Sequence, residues 1–126
     1  MSQYEHLPIY KKMFDIVVYI EQIVRSFSRY HKYTLGTEMR NLSRQTLVLI
    51  TKANFLKDKR ESLLKVRENL EELKIMARIA KELKVFANFK SFEYLVKELV
   101  EISRQNEGWL RSQNSLFKKQ TMKSAH

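Results

Sequence analysis

The sequence contains no cysteine, and it has only one proline and two glycines among its 126 residues. The absence of cysteine excludes a disulfide framework, cysteine-ligated zinc and a thiol nucleophile. So few turn-forming residues favour a small number of long helices joined by short connections. No stretch approaches the roughly 20 apolar residues that a membrane-spanning helix needs, and the first residues lack a secretory-signal pattern. We therefore expect a cytoplasmic protein without a membrane partner.

The chain carries a large and localised excess of positive charge. Lys and Arg number 24 against 14 Asp and Glu, which gives a net charge of +10. Residues 24–67 account for +8 and residues 108–126 for +4, whereas residues 1–23 and 68–107 each sum to −1. A field of this kind attracts phosphate polymers or acidic protein surfaces.

Apolar residues recur at helical spacing in four segments, which predicts an all-α, antiparallel, up-down four-helix bundle as one domain over residues 1–112. Asp58 and Glu61 have the spacing of a capping box, and Ser91 is the expected cap of the last helix. The polar and basic residues 113–126 are expected to form a disordered tail. The helices are predicted at Pro8–Arg29, Leu35–Leu56, Asp58–Ala87 and from Ser91 to about residue 112, with a linker at Tyr30–Thr34. The core face predicted for the second helix is Leu35, Met39, Leu42, Thr46, Leu49 and Ala53, and that predicted for the third is Leu63, Val66, Leu70, Leu73, Ala77 and Ala80.

Three of these helices carry more apolar surface than a single bundle can bury. A helix in a monomeric bundle should have one apolar and one solvated face, but here additional apolar residues lie outside the core stripe. Scattered surface apolar residues are common and remain one interpretation. The other, which we prefer, is a homo-oligomer interface. The residues predicted for it are Tyr10, Phe14, Val18, Leu47, Val48, Ile75, Ile79 and Phe86.

The sequence offers no constellation typical of catalysis. Its three histidines, His6, His31 and His126, have no partner at metal-ligand or triad spacing. There is no glycine-rich phosphate loop. We therefore predict a protein that is not an enzyme and that uses no cofactor or metal. Bound iron or zinc would favour the remaining alternative, a small bundle enzyme or metal carrier.

Two groups of basic residues are the candidate nucleic-acid and partner interface. The first surrounds the connections before and after the second helix, where acidic residues are scarce, and Tyr30 and Tyr33 could stack on unpaired bases there. It comprises Arg25, Arg29, Lys32, Arg40, Arg44, Lys57, Lys59 and Arg60. The second forms a row on the third helix, where an ordinary solvated face is an equally good interpretation because Glu71 and Glu82 flank it. It comprises Arg67, Lys74, Arg78 and Lys81.

Two stretches of this chain resemble a known family. They are LPIYKKMFDIVVYIEQIVRSFSRYHKYTLGTEMRNLSRQTLVLITKAN and the later ENLEELKIMARIAKEL, within residues 7–112. Their helix lengths, apolar spacing and basic positions resemble the accessory variability determinant proteins of diversity-generating retroelements. They also resemble the related four-helix proteins encoded by intervening sequences in bacterial ribosomal RNA genes.

The resemblance implies a homopentameric barrel that binds the retroelement reverse transcriptase and nucleic acid. The expected nucleic acid is RNA of the template repeat region, with DNA as a second candidate. Such a protein supports error-prone copying of RNA into cDNA, known as mutagenic retrohoming. Arg29, Lys32, Arg40 and Arg44 are the positions that the resemblance favours for binding. The alternative is a scaffold of the ribosomal RNA intervening-sequence type, which binds nucleic acid or an acidic protein without a reverse transcriptase.

Overall fold

The computed structural model describes residues 3–124, and within this range the regular structure is entirely helical. A short 3-10 segment at Gln3–His6 precedes the first α-helix. Four long helices and one short helix follow: α1 Pro8–Val24, α2 Arg29–Tyr33, α3 Leu35–Ala53, α4 Arg60–Glu82 and α5 Phe89–Ser124. The predicted all-α fold with four main helices is therefore confirmed.

The four long helices form an up-down bundle in which α1 and α4 occupy opposite corners. Helix α1 packs against α3 and α5, and α4 packs against the same two helices. The connections 25–34 and 83–88 meet at one end, here called the upper end, where the rings of Phe27 and Phe86 are 5.8 Å apart. The connection 54–59 lies at the other end, the lower end, beside the N-terminal segment, since Tyr4 contacts Phe55 at 5.9 Å.

The core follows the predicted apolar stripes closely in α4 and less closely in α3. All six residues predicted for α4 are buried, namely Leu63, Val66, Leu70, Leu73, Ala77 and Ala80. In α3, Leu35 and Leu49 are only half-buried, and Gly36 and Ile50 are buried instead. Gly36 lies so close to α1 that a β-carbon on it would come within 2.7 Å of Val24 Cγ1. The close approach of α1 and α3 at Gly36 therefore turns the side of α3 that carries Gly36 and Ile50 towards the core, in place of the side that carries Leu35 and Leu49.

Several predicted helix ends are wrong by three to five residues. Helix α1 ends at Val24 rather than Arg29, and most of the predicted linker 30–34 lies in α2. Helix α3 ends at Ala53 rather than Leu56. Helix α4 starts at Arg60, whose N–H donates to Asp58 Oδ1 at 3.1 Å. Asp58 therefore accepts the N–H of Arg60 rather than that of Glu61, which the predicted capping box would require.

The turn between α4 and α5 also differs from the prediction. Helix α4 ends at Glu82 in a Schellman motif, with Val85 N–H donating to the Ala80 carbonyl at 2.9 Å and Lys84 N–H to the Lys81 carbonyl at 3.0 Å. Helix α5 is capped by Asn88, whose Oδ1 accepts the Ser91 N–H at 2.9 Å. Ser91 is therefore the third residue of α5 and not its cap.

The expectation of a disordered tail from residue 113 is not met, because α5 continues to Ser124. Gln113 is buried at the lower end, and the Arg60 guanidinium lies 4.3 Å from the centre of the Phe117 ring. The side chains of Leu110, Gln113 and Phe117 are three and four residues apart, so they lie on one face of α5 and extend its packed stripe. The last two residues of the predicted tail lie outside the described residues.

Among the described residues, no helix is both long and apolar enough to cross a membrane.

Candidate nucleic-acid and partner interface

The upper end carries the first part of the predicted basic group. Arg25 and Arg29 are exposed and Lys32 is half-exposed, on the segment that joins α1 to α3. Residues 25–34 contain no Asp or Glu, and none of these three cations has an ion-pair partner among the described residues. Tyr30 and Tyr33 of the same segment are exposed. Unpaired cations beside exposed rings are the arrangement that single-stranded nucleic acid favours.

Arg40 and Arg44 converge on one carboxylate of the neighbouring helix. Arg40 Nε donates to Glu21 Oε2 at 2.8 Å, and Arg44 donates to Glu21 Oε1. Burial raises the pKa of Glu21, but the hydrogen bonds from the two arginines outweigh it and hold the pKa below its usual value. The two guanidinium groups together with Glu21 leave a net charge of +1 on this part of the α1–α3 face.

The cations at the lower end are mostly engaged within the protein. Lys59 Nζ donates to the carbonyl oxygens of Ala53 and Asn54 at 2.9 and 3.3 Å, so it supplies hydrogen-bond donors to carbonyl groups at the C-terminal end of α3. Arg60 forms an ion pair with Asp58 at 2.8 Å. Hydrogen bonds from Arg60 lower the pKa of Asp58 to about 2. Lys57 is exposed and has no ion-pair partner among the described residues.

The four cations of the predicted row on α4 have different partners. Arg67 pairs with Glu107 of α5 at 2.7 Å, and its hydrogen bond lowers the pKa of that carboxyl. Lys74 pairs with Glu71 at 2.8 Å on its own helix. Lys81 instead lies over aromatic rings at the upper end, 5.2 Å from the centre of Phe92. Arg78 is exposed and has no ion-pair partner in the described part of the chain.

The structure therefore places Arg25, Arg29 and Lys32 at the upper end and Arg40 and Arg44 together on the α1–α3 face. It does not join them to the remaining predicted cations, which lie at the lower end (Lys57, Lys59 and Arg60) or along α4 (Arg67, Lys74, Arg78 and Lys81). The structure adds two exposed cations that the sequence pattern missed: Lys84, which lines a cleft together with Lys81, and Lys90, the second residue of α5. They were missed because the prediction carried the third helix through Ala87 and so placed Lys84 inside a helix. The combination of a lysine pair with Phe86, Phe89 and Phe92 was the available signal.

Two apolar patches on different corners contain most of the predicted interface residues. The first, the α1–α3 patch, consists of Tyr10, Phe14, Val18, Leu47, Val48 and Phe55. Tyr4 joins its two helices, because its ring contacts Tyr10 at 5.0 Å and Phe55 at 5.9 Å. Phe14, Val18, Val48 and Phe55 are exposed, whereas Tyr10 and Leu47 are half-buried and pack against the core.

The second patch, the α4 patch, consists of Leu64, Ile75, Ile79 and Leu83 on the outward side of α4. Ile75 is 56% exposed, and it borders a cleft together with Glu68 and Glu72. Ile79 and Leu83 border another with Arg78 and Glu82. Phe86, the remaining predicted interface residue, belongs to neither patch, because it is half-buried against the core at the upper end.

The described residues contain no group of three His, Asp or Glu side chains that could hold a metal ion. His6 lies at the lower end and His31 in α2, and His126 is outside the described residues. A cleft of about 360 Å³ at the lower end is lined by Leu7, Pro8, Ile9, Gln105 and Trp109, none of which titrates in the physiological range.

The sequence model of the bAvd-like family matches residues 7–113, which cover all four long helices except the last part of α5. This chain belongs to the bAvd-like family. The family is that of the accessory variability determinants, so the resemblance noted in the sequence is confirmed. No curated protein matches the chain. The bAvd-like match ends at the residue that closes the lower end of the bundle, Gln113.

Proposed function

We propose that this bAvd-like protein is a non-catalytic, homo-oligomeric accessory factor that binds a reverse transcriptase and RNA during mutagenic retrohoming. Family membership supports the accessory role. The observation that carries the RNA-binding part is the set of unpaired cations at the upper end, Arg25, Arg29 and Lys32, in a segment without acidic residues. A nucleic acid whose phosphates contact these cations would release its own condensed counterions, which favours binding.

The two apolar patches support a closed ring of subunits. The α1–α3 patch and the α4 patch lie on different helices of the bundle and differ in composition. An interface that pairs two different surfaces is heterologous, and it closes into a ring when the rotation between subunits permits. A two-fold dimer would need only one self-complementary patch. The arrangement is consistent with the pentamer that the family resemblance implies.

Charge around the patches supports the same pairing. Around the α4 patch, the exposed carboxylates Glu68, Glu72 and Glu82 outnumber the exposed cations Lys65 and Arg78. The α1–α3 patch is flanked by Arg40, Arg44 and, one turn beyond Val48, Lys52. Opposite charges at the rim favour the α4 patch of one subunit against the α1–α3 patch of the next, and they disfavour contact between two like patches.

Binding of the reverse transcriptase is tested directly by light scattering of this protein mixed with a purified reverse transcriptase of a diversity-generating retroelement. We expect a complex with the unmodified protein and a weaker one with Arg40→Ala/Arg44→Ala, which should keep its helicity and oligomer mass. The matched control is Arg104→Ala, since Arg104 is likewise paired to a glutamate but lies on α5. Unchanged binding by the double variant would remove this face from the proposal. RNA binding without any complex with the enzyme would favour a scaffold of the ribosomal RNA intervening-sequence type.

A further inference from the structure

A small cleft at the upper end lies where α4 ends and α5 begins. It is lined by Lys81, Lys84, Phe86, Asn88, Phe89 and Phe92. Its volume is about 180 Å³, below the roughly 300 Å³ at which pockets for drug-sized ligands begin. The cleft therefore suits a single planar ring better than a larger molecule. Its lining carries two positive charges and no carboxylate.

The aromatic side chains of the cleft are arranged around the lysines. Phe89 is 57% exposed although its ring lies 5.6 Å from that of Phe92. Lys81 Nζ lies 5.2 Å from the centre of Phe92 and 5.8 Å from that of Phe89, within the range of cation–π contact. The core does not need an exposed ring at this position, so Phe89 is free to stack on a ligand.

Lys84 has an unusual backbone conformation for a lysine. Its φ angle of 56° places it in the left-handed region, at the position of the Schellman motif where glycine is most common. It is the one described non-glycine residue with a positive φ. A lysine here costs stability relative to glycine, and such costs are often found at functional sites. The hydrogen-bonded turn fixes the backbone at Lys84 and therefore the position of its exposed side chain.

The aromatic side of the cleft packs against the segment that carries Arg25 and Arg29. Phe86 contacts Phe27 at 5.8 Å and Phe92 at 5.9 Å, so a row of rings connects the cleft to the end of α1. Arg25 and Arg29 lie two residues before and two residues after Phe27 in the chain. A strand that enters the cleft can therefore continue towards these unpaired arginines.

We propose that the cleft binds one unpaired nucleobase of single-stranded RNA. Phe89 stacks on the base, and Lys84 and Lys81 contact the adjacent phosphates. Nucleic-acid proteins of this kind combine aromatic platforms with cations along the backbone, and a duplex cannot offer a base in the same way because its bases are already stacked. The inference rests on the proposed RNA-binding function and states where and in what form the RNA is held.

The test compares a fluorescein-labelled oligouridylate with the same strand annealed to oligoadenylate, bound to the full chain. The unmodified protein is expected to prefer the single strand. Phe89→Ala should weaken that binding about tenfold, and Phe89→Tyr, which retains a ring, should keep most of it. Val100→Ala is the matched control, because Val100 is also exposed on α5 but lies outside the cleft.

The variant Lys84→Gly distinguishes an effect on RNA binding from an effect on the stability of the fold. Glycine adopts the left-handed conformation without strain, so the melting temperature should stay the same or rise. RNA binding should nevertheless weaken, and the slope of log K against log salt should fall by about 0.7 for the lost phosphate contact. Lys97→Ala, which removes an exposed lysine elsewhere on α5, should change neither quantity.

Three outcomes would overturn the inference. If Phe89→Ala and Lys84→Gly bind the single strand as well as the unmodified protein does, the cleft is not the site, and the proposed function still stands. If only Lys84→Gly weakens binding, the phosphate contact is real but the stacked base is not. If the unmodified chain binds neither probe, the proposed RNA-binding function fails together with the inference.

Discussion

Gln113 Oε1 accepts the backbone N–H of Lys59 at 3.1 Å, so a residue near the end of the sequence match caps the start of α4. Gln113 is 7% exposed, and it lies beside Ala53, Leu63 and Leu110, which form a small apolar cluster at the lower end. The same region contains the Lys59 ammonium, which satisfies the carbonyls at the end of α3. The lower end is thus closed by α5, and this explains why α5 stays helical there.

Gln113→Ala is expected to lower the free energy of unfolding by about 1–2 kcal/mol, because it leaves a buried N–H without a partner. The measurement is urea denaturation followed by circular dichroism. Gln45→Ala is the control, since Gln45 is exposed on α3, and it should change stability by less than about 0.5 kcal/mol. Equal stability of the two variants would show that the Gln113 contact contributes nothing.

Replacing each of the two glycines with alanine should change the stability of the protein in opposite directions. At Gly36 the new β-carbon would lie 2.7 Å from Val24 Cγ1 and 3.1 Å from the His31 carbonyl oxygen, so we expect a loss of about 1–3 kcal/mol. At Gly108 the nearest atom belongs to Arg111 at 3.8 Å, and alanine should stabilise the helix by about 0.5–1 kcal/mol. Thermal denaturation of both variants checks the pair. A stabilised Gly36→Ala protein would contradict the close packing of α1 and α3.

The Glu21 carboxylate should make stability depend on pH in a definite direction. Because its pKa in the folded protein is below the ordinary value of 4.5, its contribution is present above that value and is lost as the pH falls through the folded pKa. At neutral pH, Glu21→Gln should be less stable by about 1 kcal/mol. In urea titrations the gap between the two proteins should narrow below about pH 4. A gap that is constant with pH would contradict the charged contact with Arg40 and Arg44.

The proposed ring of subunits predicts a specific result when two variants are mixed. Val18→Glu disrupts the α1–α3 patch, and Ile79→Glu disrupts the α4 patch, so each alone should be monomeric by light scattering. Together they retain one intact pair of surfaces and should form a heterodimer but no larger species. Val100→Glu, on the exposed side of α5, should keep the mass of the unmodified oligomer. Full recovery of that mass in the mixture would contradict the two-patch interface.

The sequence was most informative where the pattern was long and regular. The α4 stripe was predicted completely because its apolar residues keep alternating steps of three and four over the whole helix. The first residue of α1 was also predicted, since Pro8 suits the first turn of a helix. These features depend on local periodicity and local backbone preference alone.

Helix ends and the upper cleft could not be predicted in the same way. Nothing in the residue type of Lys84 indicates a left-handed turn, since lysine is far more common inside helices than at a position of positive φ. Residues 113–124 look like a polar tail because the contact that orders Gln113 comes from Lys59, which is distant in the chain. Periodicity does not report such contacts.

The ion pairs between helices could not be predicted from the sequence either. Arg40 and Arg44 look free in the sequence because no carboxylate lies within a turn of their outward face, and Glu21 meets them only after α1 and α3 pack together. The upper-end cations are different, because the acid-free segment 25–34 is a local feature. The sequence therefore indicated the lack of acidic residues around the upper-end cations, but not the pairing of Arg40 and Arg44 with Glu21.

The most direct test of the account is the salt dependence of RNA binding by the full chain, measured with template-repeat RNA. The affinity should fall steeply as salt rises, and Arg25→Ala/Arg29→Ala/Lys32→Ala should reduce the slope of log K against log salt by about 2, at about 0.7 for each lost phosphate contact. Binding whose strength and slope are the same in the triple variant would contradict the account, as would no detectable binding at physiological salt.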